Sequence, residues 1–380
     1  MEYSPRVLLD CTAIPANHGG VARYVDGLLC GFEPRSFELT LAVQERDRAE
    51  FTAIVPWARV HALPPRFAYR PLRFLWEQLG LPLLALRVRA NVVHSPHYTF
   101  PLLWRRGNVV TVHDATFFSD PSAHRPLKRF FFRAWVRAAW RTADVVVTPS
   151  SATAGEVERF VGAPRALIEV ALLGVNSDRF HRPSIGELAA FRERVGLPDD
   201  ATWFAFLGTI EPRKNLSALL DAYATLRADL GDTAPRLLVS GGRGWDKAGL
   251  AKLDALGPDS GVQALGYLPM AQLPALLGGS VAVMYPSLGE GFGLPVLEAM
   301  ASGAAVITSN RLAIPEVGGN AVAYTEVDAA SIAQAMRDLH LDPAEQQRLQ
   351  ELAVARSAIF TWQATAVAHV QAYRAAMRRR

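Results

Sequence analysis

The hydrophobic positions of the chain fall into short, continuous apolar segments separated by stretches with helical periodicity. In the first half the apolar segments lie at 7–11, 92–94, 109–112 and 145–148. Helical patterns begin at about Val21 and cover 125–141 and 151–162. Strands that are apolar throughout, rather than at every second position, are typical of a parallel sheet with helices on both faces.

This pattern lapses after Val170 and restarts at residue 204. The intervening stretch contains Gly174-Val175-Asn176 and Arg182-Pro183, which predict a loop, and a short helical pattern at 186–195. In the second half, strands are predicted at 204–207, 236–239, 281–284 and 304–307, with a helix at 215–229. Strands and helices that alternate in this way predict doubly wound domains.

The predicted fold is α/β, with two Rossmann-like doubly wound domains that face a central cleft. The N-terminal domain is expected over 1–172, a linker over 173–200 and the C-terminal domain over 201–360. A C-terminal helix over 361–380 is expected to cross back to the N-terminal domain. Ligands of such sheets bind at the carboxyl ends of the strands, so the site is expected in the cleft. The length of 380 residues agrees with two domains.

Composition narrows the class of protein further. The sequence has no run of eighteen apolar residues, so no membrane span is expected. Its first residues lack the basic start and the longer apolar stretch of a secretory signal. Cys11 and Cys30 form neither a CxxC pair nor a metal-ligand spacing. These features predict a cytoplasmic protein in a reducing environment.

The charge distribution leaves two interpretations open. The formal net charge is only +4 and no nucleic-acid-binding module is recognisable, so no nucleic-acid partner is expected. Segments 66–89 and 125–141 mix Arg and Lys with Phe, Trp and Leu, and the chain ends in three arginines. Such a surface can contact anionic lipid at the inner face of a membrane. The alternative is a pair of core helices whose arginines extend to water.

The strongest motif lies at 287–303, where a glycine-rich turn follows an apolar strand and leads into a helix. Gly291 and Gly293 lack side chains, so backbone N–H groups can approach a ligand there. Pro295 suits a first helical turn, and the N-terminus of a helix favours an anion such as a diphosphate. Glu290 is expected in the loop and Glu298 about one turn into the helix. Their carboxylates can accept hydrogen bonds from a hydroxyl-rich ligand.

This motif resembles the glutamate-x7-glutamate motif of the retaining GT-B glycosyltransferases of family 4, a large group rich in mannosyltransferases. The resemblance extends over nearly the whole chain. It implies that Glu290 meets hydroxyls of the donor sugar and that Glu298 meets the ribose of the nucleotide. The backbone amides that would face the sugar and the diphosphate are those of Gly291, Phe292, Gly293 and Leu294.

A second motif runs from Gly208 to Leu216 and also joins a strand to a helix. Two adjacent cations, Arg213 and Lys214, can neutralise a diphosphate at this turn. Cations at a helix start oppose the helix dipole, and a bound anion would relieve that cost. The resemblance implies that Arg213 and Lys214 bind the donor phosphates, with Gly208 beside them. The alternative is a basic, solvated helix start.

The N-terminal domain carries weaker candidates. Gly19 and Gly20, in the segment that starts at His18, resemble the loop that reaches the donor phosphate and the acceptor. The segment is not G-x-G-x-x-G, which argues against a dinucleotide site. The resemblance implies that His113, at a strand end, hydrogen-bonds to the donor sugar or to the leaving phosphate. Variable loops at 44–75 and 95–125 are expected to contact the acceptor. The acceptor candidates are Tyr24, His94, His97 and Asp114.

The expected reaction needs no cofactor and no metal. No Asp-x-Asp triplet occurs, so a divalent cation on the diphosphate is not indicated. Retention is open to a covalent intermediate or to same-face attack, and the resemblance implies the second route. Glu290 is then expected to position the sugar rather than to act as a nucleophile.

Donor and acceptor are less constrained. Residues 19–24 and 309–317 look most like those of bacterial mannosyltransferases of the family, which favours GDP-mannose, with a UDP-sugar as the alternative. The base is expected against the loop around Gly266 and Leu268. A glycan or a lipid-linked glycan is the expected acceptor, in polysaccharide biosynthesis. Gly174-Val175-Asn176 departs from the usual Asn-Gly-Val-Asp of relatives, within the predicted linker.

Two rival functions use the same fold. A sugar-nucleotide 2-epimerase would bind a similar donor without an acceptor, and the Glu290/Glu298 spacing with Arg213 and Lys214 argues against it. A catalytically silent glycosyltransferase-like partner protein would lack donor-site residues, whereas this sequence has the expected set.

Overall fold

The structure is a computed structural model that describes residues 4–14, 19–120 and 126–379. The chain divides into two compact units, and each is described by itself. The first unit comprises Met1–Gly174 and Thr361–Arg380, and the second comprises Val175–Phe360. Each unit is built on a parallel sheet flanked by helices, which confirms the predicted pair of Rossmann-like domains.

The first unit contains a parallel sheet in the order β3-β2-β1-β4-β5-β6-β7. Its strands are Arg6–Asp10 (β1), Glu38–Gln44 (β2), Arg59–Leu63 (β3), Val92–Ser95 (β4), Asn108–Thr111 (β5), Val145–Thr148 (β6) and Leu167–Val170 (β7). Its helices before the second unit are Gly20–Gly31 (α1), Arg48–Ile54 (α2), Arg70–Leu75 (α3), Leu81–Arg87 (α4), Thr116–Ser119 (α5), Pro126–Thr142 (α6) and Ser151–Val161 (α7). The strand order reverses direction between β1 and β4, which is the switch point of this sheet.

The second unit repeats this plan with a parallel sheet in the order β10-β9-β8-β11-β12-β13. The strands are Trp203–Leu207 (β8), Arg236–Ser240 (β9), Val262–Gly266 (β10), Ala282–Tyr285 (β11), Val306–Ser309 (β12) and Ala323–Thr325 (β13). The helices are Ile185–Val195 (α8), Leu216–Leu230 (α9), Lys247–Ala255 (α10), Leu273–Gly278 (α11), Leu294–Ala301 (α12), Ile314–Gly318 (α13), Ala329–Leu341 (α14) and Pro343–Ser357 (α15). Here the switch point lies between β8 and β11.

The predicted linker over 173–200 needs correction, because most of it is folded into the second unit. Helix α8 starts at a capping box in which Ser184 and Glu187 satisfy each other's backbone N–H groups. Phe191 of this helix is fully buried, and its ring centroid lies 5.5 Å from that of Trp203 in β8. Burial of this aromatic pair holds the segment against the sheet.

The last helix, Trp362–Arg378 (α16), packs within the first unit. Trp362 lies against α1 where that helix has Gly27 and Gly31. A Cβ at Gly27 would come within 2.1 Å of the Trp362 ring, and one at Gly31 within 2.1 Å of its carbonyl oxygen. Two glycines four residues apart therefore open one face of α1 to the ring and the backbone of Trp362. Across the described residues, no helix is both long and apolar enough to cross a bilayer.

Candidate active site

The loops after β8 and β11 meet at the carboxyl edge of the second sheet. The 3-10 turn Pro212–Lys214 follows β8, and the glycine-rich loop 286–293 follows β11. The backbone N–H of Leu288 donates to the carbonyl oxygen of Arg213 at 2.7 Å, and the Ser287 hydroxyl donates to the same oxygen at 2.9 Å. These two bonds bring the two sequence motifs together at the switch point.

Glu290 is the centre of this edge. Its Oε1 is 2.5 Å from Nη1 of Arg213 and 2.7 Å from Nζ of Lys214. The Tyr285 hydroxyl also donates to Oε1 at 2.8 Å, and the Ser287 hydroxyl lies 2.9 Å from Oε1 and shares its single hydrogen between Oε1 and the Arg213 carbonyl oxygen. Glu290 is only 8% exposed and Lys214 only 6%. Two cations and two hydroxyls thus converge on one buried carboxylate oxygen.

A buried arrangement of this kind is costly unless each charge is paired. Besides Glu290, Arg213 contacts Glu211, whose Oε2 lies 3.0 Å from the guanidinium Nε. Lys214 also donates to the Tyr285 hydroxyl, and its Nζ lies 4.4 Å from the centroid of that ring. The two carboxylates therefore balance the two cations.

The ionisation of the cluster follows from these contacts. Burial alone raises the pKa of Glu290, but Arg213, Lys214 and the hydrogen-bond donors outweigh burial and hold it at about 2. Burial, with the Arg213 charge beside it, lowers the pKa of Lys214 to about 8 against the opposing effect of Glu290. At neutral pH the carboxylate and both cations are charged. A bound anion would favour the protonated lysine further.

Three glycines lie side by side where β8, β9 and β10 end. The N–H of Gly208 donates to Ser240 at 3.0 Å, and the N–H of Gly241 donates to Gly266 at 2.8 Å. Gly241 has φ +142°, and a Cβ there would lie 2.0 Å from the Gly208 carbonyl oxygen. Glycine is therefore required at Gly241 for these loops to pack. Leu268, just beyond Gly266, has a buried side chain.

The loop before α12 matches the predicted geometry. Gly293 has φ +107° at the N-cap of α12, a backbone conformation that glycine adopts without strain. Phe292 is buried with its ring 6.1 Å from that of Phe360, so a ligand would meet its backbone rather than its ring. Leu294 is the first residue of α12, and Glu298 lies one turn further along as a buried residue.

His113 follows β5 at the carboxyl edge of the first sheet. Its Nε2 lies 2.6 Å from the carbonyl oxygen of Pro96, which can only accept, so Nε2 carries the proton. Burial lowers the pKa of His113, and the ring is neutral at physiological pH. In this tautomer Nδ1 is an acceptor. The predicted bond to a sugar hydroxyl fits this tautomer, whereas a bond to a leaving phosphate would need a donor.

The prediction that Tyr24 and His94 contact the acceptor is wrong for this structure. Both residues are buried, and their polar atoms form a network inside the first unit. The Tyr24 hydroxyl lies 2.6 Å from Nε2 of His369 and 2.9 Å from the Thr111 hydroxyl. The His94 ring lies 2.8 Å from the same Thr111 hydroxyl and 2.9 Å from the Tyr373 hydroxyl. These contacts fasten α16 to α1, β4 and β5.

The direction of each bond in this network is fixed by one carbonyl group. Nδ1 of His369 lies 2.7 Å from the carbonyl oxygen of Thr365 and must donate to it. Nε2 of His369 then accepts from Tyr24, Tyr24 accepts from Thr111, and Thr111 accepts from Nε2 of His94. Nδ1 of His94 is left to accept from Tyr373. Burial lowers the pKa of His369 to about 4, so this histidine is neutral, as the chain of bonds requires.

The other candidates of the first unit lie nearer the surface. His97 is half-buried, with its ring centroid 6.4 Å from that of His113, and burial lowers its pKa to about 3. Asp114 accepts from the N–H and the hydroxyl of Thr116 at 3.0 and 2.6 Å. Gly19 and Gly20 are exposed, and a Cβ at either would meet nothing within 4 Å. The preceding His18 lies outside the described residues.

Two donors to Glu290 and the second partner of Arg213 are not among the predicted site residues. Ser287 and Glu211 lie within the two motifs but received no role, and Tyr285 closes the strand before the loop. Their spacing in sequence could have indicated these contacts, because Ser287 and Tyr285 precede Glu290 by only three and five residues. Within the described residues, no three His, Cys, Asp or Glu side chains converge as a metal site.

Comparison with known proteins identifies the family. The family profile described as Glycosyltransferase Family 4 matches residues 18–179, and that described as Glycosyl transferases group 1 matches residues 189–356. The O-antigen chain mannosyltransferase B of Escherichia coli is 31% identical over 293 residues, which are 74% of this chain and 74% of that protein. The D-inositol 3-phosphate glycosyltransferase of Streptomyces avermitilis is 34% identical over 251 residues, which are 62% of this chain and 52% of that protein.

A solved structure shares the fold. The structure of HepE from Anabaena, in complex with UDP and glucose, superimposes with a TM-score of 0.74. The match covers 97% of this chain and 98% of HepE. Because the sequence identity is 18%, the match shows a shared fold only. With two parallel Rossmann-like sheets, both family profiles and a mannosyltransferase relative, this chain belongs to the GT-B glycosyltransferases of family 4 and is a mannosyltransferase-like member.

Proposed function

We propose that this glycosyltransferase moves mannose from GDP-mannose to a hydroxyl of a glycan or glycolipid, with retention of configuration and without a divalent metal. The observation that carries the proposal is the paired-cation cluster at the β8/β11 switch point. Arg213 and Lys214 both contact one carboxylate oxygen of Glu290, which lies in the loop that leads into α12. Two cations and a helix N-terminus suit a diphosphate.

In this mechanism the bond between the anomeric carbon and the β-phosphate oxygen breaks, and negative charge grows on the leaving diphosphate. Arg213, Lys214 and the backbone amides of 291–294 would stabilise that charge. Preorganised electrostatic stabilisation is commonly the largest single contribution to catalysis. The acceptor oxygen forms the new bond on the same face of the sugar, and its proton passes to the leaving phosphate.

Glu290 positions the sugar rather than attacking it. All four donors described above bind its Oε1, so Oε2 is the oxygen that would accept from a sugar hydroxyl. Arg213 and Lys214 help to hold the pKa of Glu290 at about 2, which makes the carboxylate a weak base and a weak nucleophile. A glycosyl group trapped on Glu290 would contradict this role. His113 would accept a second sugar hydroxyl through Nδ1.

The identity of the donor is proposed from the relatives and from the loop around Gly266. The mannosyltransferase relative supports mannose as the transferred sugar, and GDP-mannose is the donor that residues 19–24 and 309–317 favour. The UDP-sugar alternative is supported by the fold of HepE, whose structure contains UDP and glucose. Backbone groups around Gly266 and Leu268 would contact the base, since the Leu268 side chain is buried and Tyr267 beside it is exposed. We further propose that the reaction takes place in the cytoplasm and contributes to polysaccharide biosynthesis.

A thermal-shift series tests the donor assignment. We expect GDP and GDP-mannose to raise the melting temperature more than UDP, UDP-glucose or ADP-glucose at the same concentration, because binding to the folded state adds stability. A larger shift with UDP-glucose would transfer the proposal to a UDP-sugar. The absence of a shift with every nucleotide would refute a donor site at this edge.

Transfer itself is tested with the favoured donor and a set of mannose-containing oligosaccharides. Nuclear magnetic resonance of the product should show the same anomeric configuration as the donor, and a chelator should leave the rate unchanged. An epimerase would convert the donor without an acceptor. A catalytically silent partner protein would bind the nucleotide without releasing sugar under any of these conditions.

A further inference from the structure

One long helical segment of the first unit exposes leucines along its length. Residues 70–87 are helical throughout, because a π-helical turn at Trp76–Gly80 joins α3 to α4. Five leucines of this segment are between 39% and 66% exposed, at intervals of three or four residues: Leu72, Leu75, Leu79, Leu83 and Leu86. Positions at such intervals lie on one face of a helix, so the leucines form a stripe.

The stripe is not the packing face of the helix. Leu81, Leu84 and Ala85 of the same segment are buried in a core cluster of the first unit. The helix therefore buries one apolar face and exposes another. Surface helices normally present charged or polar residues to water on the second face.

Two neighbouring segments extend the exposed apolar surface. Phe74 lies against α6, with its ring centroid 6.0 Å from that of Phe131, and Leu127 and Phe130 of α6 are 82% and 72% exposed. Gln78 accepts from the N–H of Leu102 at 3.1 Å, which holds the exposed Leu102 and Leu103 beside the helix. We call the five leucines with these four residues the leucine face.

The charged residues of the stretch that carries seven of these nine residues are nearly all of one sign. Residues 64–113 contain seven arginines and a single acidic residue, Glu77. Glu77 is buried and pairs with Arg73 at 2.9 Å, so the exposed charged side chains of this stretch are arginines. These exposed arginines are Arg66, Arg70, Arg87, Arg89, Arg105 and Arg106.

We propose that the leucine face docks on the surface of an anionic lipid bilayer. Leucines would enter the acyl boundary while the arginines around them meet anionic headgroups, and a bilayer supplies both without a matching groove. Self-association through this face is disfavoured, because a two-fold contact would set arginines against arginines. A protein partner would need its own acidic rim around a complementary apolar groove.

The position of the helix connects this surface to the reaction. On its inner side, Glu77 accepts from Arg73 and from the hydroxyl of Thr99, in the loop after β4 at the first sheet's switch point. Docking would bring that edge next to lipid. Together with the proposed function, on which this step rests, the leucine face therefore favours a lipid-linked acceptor over a soluble one.

Vesicle flotation with the full-length protein tests the docking surface. The double variant Leu79→Glu/Leu83→Glu places charge on two exposed positions, and Leu341→Glu in α14 is a matched control on an exposed leucine of the second unit. We expect the wild type and Leu341→Glu to float with vesicles containing phosphatidylglycerol and not with pure phosphatidylcholine. The double variant should lose about tenfold or more in vesicle affinity, and added salt should weaken binding of the wild type.

Equal flotation of the double variant and the wild type would overturn the proposal, and so would equal binding to neutral vesicles. No binding to either vesicle would also overturn it and leave a protein partner as the occupant. Light scattering without vesicles would identify a second copy as the occupant if the double variant alone lost a dimer. GDP affinity should be the same in all three proteins, so failure of the donor assignment is seen separately from failure to float.

Discussion

The two sheets carry buried polar clusters at the same place, the carboxyl edge beside the switch point, yet the clusters differ in charge. In the second unit, Arg213 and Lys214 converge on Glu290, and all three are ionised. In the first unit, the hydrogen bonds that join Tyr24 to His369 and His94 to Tyr373 are between neutral groups.

The proposed function assigns the reaction to the ionised cluster. Neutral groups that satisfy one another gain stability and need nothing from a ligand. Ionised groups that are buried at the edge of a sheet are costly. They become stabilising when an anion binds there or when negative charge develops in a transition state. On this view the first cluster holds α16 in place and the second performs the reaction. Changes in the ionised cluster should therefore lower the transfer rate. A change in the neutral network should lower the free energy of unfolding and leave GDP affinity unchanged.

The largest effect is expected for Glu290→Gln. Loss of the carboxylate removes the group that would position the sugar, and we expect the transfer rate to fall about a thousandfold. GDP affinity should be retained or increased, because the two cations lose their competing carboxylate. Steady-state kinetics and calorimetric titration check both parts. A parallel loss of GDP affinity and rate would contradict the separate roles.

Arg213→Ala and Lys214→Ala should each lower the transfer rate about a hundredfold and weaken GDP binding, since each removes a cation aimed at the diphosphate. The matched control is Arg243→Ala, an exposed arginine of the same unit that pairs with Asp254 at 2.5 Å. Its rate should stay close to that of the wild type. Equal losses in all three variants would point to general charge rather than to a site.

In the neutral cluster, Tyr373→Phe should lower the free energy of unfolding by about 2 kcal/mol, because it leaves Nδ1 of His94 buried without its donor. GDP affinity should not change. Tyr324→Phe is the matched control, since its hydroxyl bonds at the surface to Gly319 at 2.9 Å. Chemical denaturation and titration of both variants check this. A lower GDP affinity in Tyr373→Phe alone would give the neutral network a part in donor binding.

The smallest effect is a pH dependence of GDP binding. Burial and Arg213 lower the pKa of Lys214 to about 8, so its charge is present below that pH and is lost as the pH rises through it. GDP affinity should be level between about pH 7 and pH 8, where the GDP phosphates are ionised, and fall by up to about tenfold per pH unit above pH 8. Lys214→Arg should flatten this fall, because a guanidinium stays charged. A level profile in the wild type would contradict contact between Lys214 and the diphosphate.

Much of the second unit's site was predictable because its residues lie within two short motifs. Arg213 and Glu290 were expected to share a ligand, and the bonds from Leu288 and Ser287 to Arg213 bring them together. Strand and helix positions were also predictable, with β6 at its expected residues and α9 shifted by one residue. In each case local sequence carries the signal.

The neutral network was not predictable, because its partners are distant in sequence. Tyr24 and His369 are 345 residues apart, and His94 and Tyr373 are 279 apart. A histidine at a strand end resembles a ligand-binding residue until the helix that covers it is known. The error over the linker has the same origin, since burial of Phe191 depends on packing against Trp203 that loop-like residues nearby do not reveal.

Calorimetric titration of GDP into the wild type, the Arg213→Ala/Lys214→Ala double variant and Arg243→Ala measures whether the cluster around Glu290 binds the diphosphate. We expect similar affinity for the wild type and for Arg243→Ala, in the presence of a chelator, and a loss of about a hundredfold or more in the double variant. Binding of GDP to the double variant with wild-type affinity would contradict the assignment of the diphosphate to the cluster around Glu290.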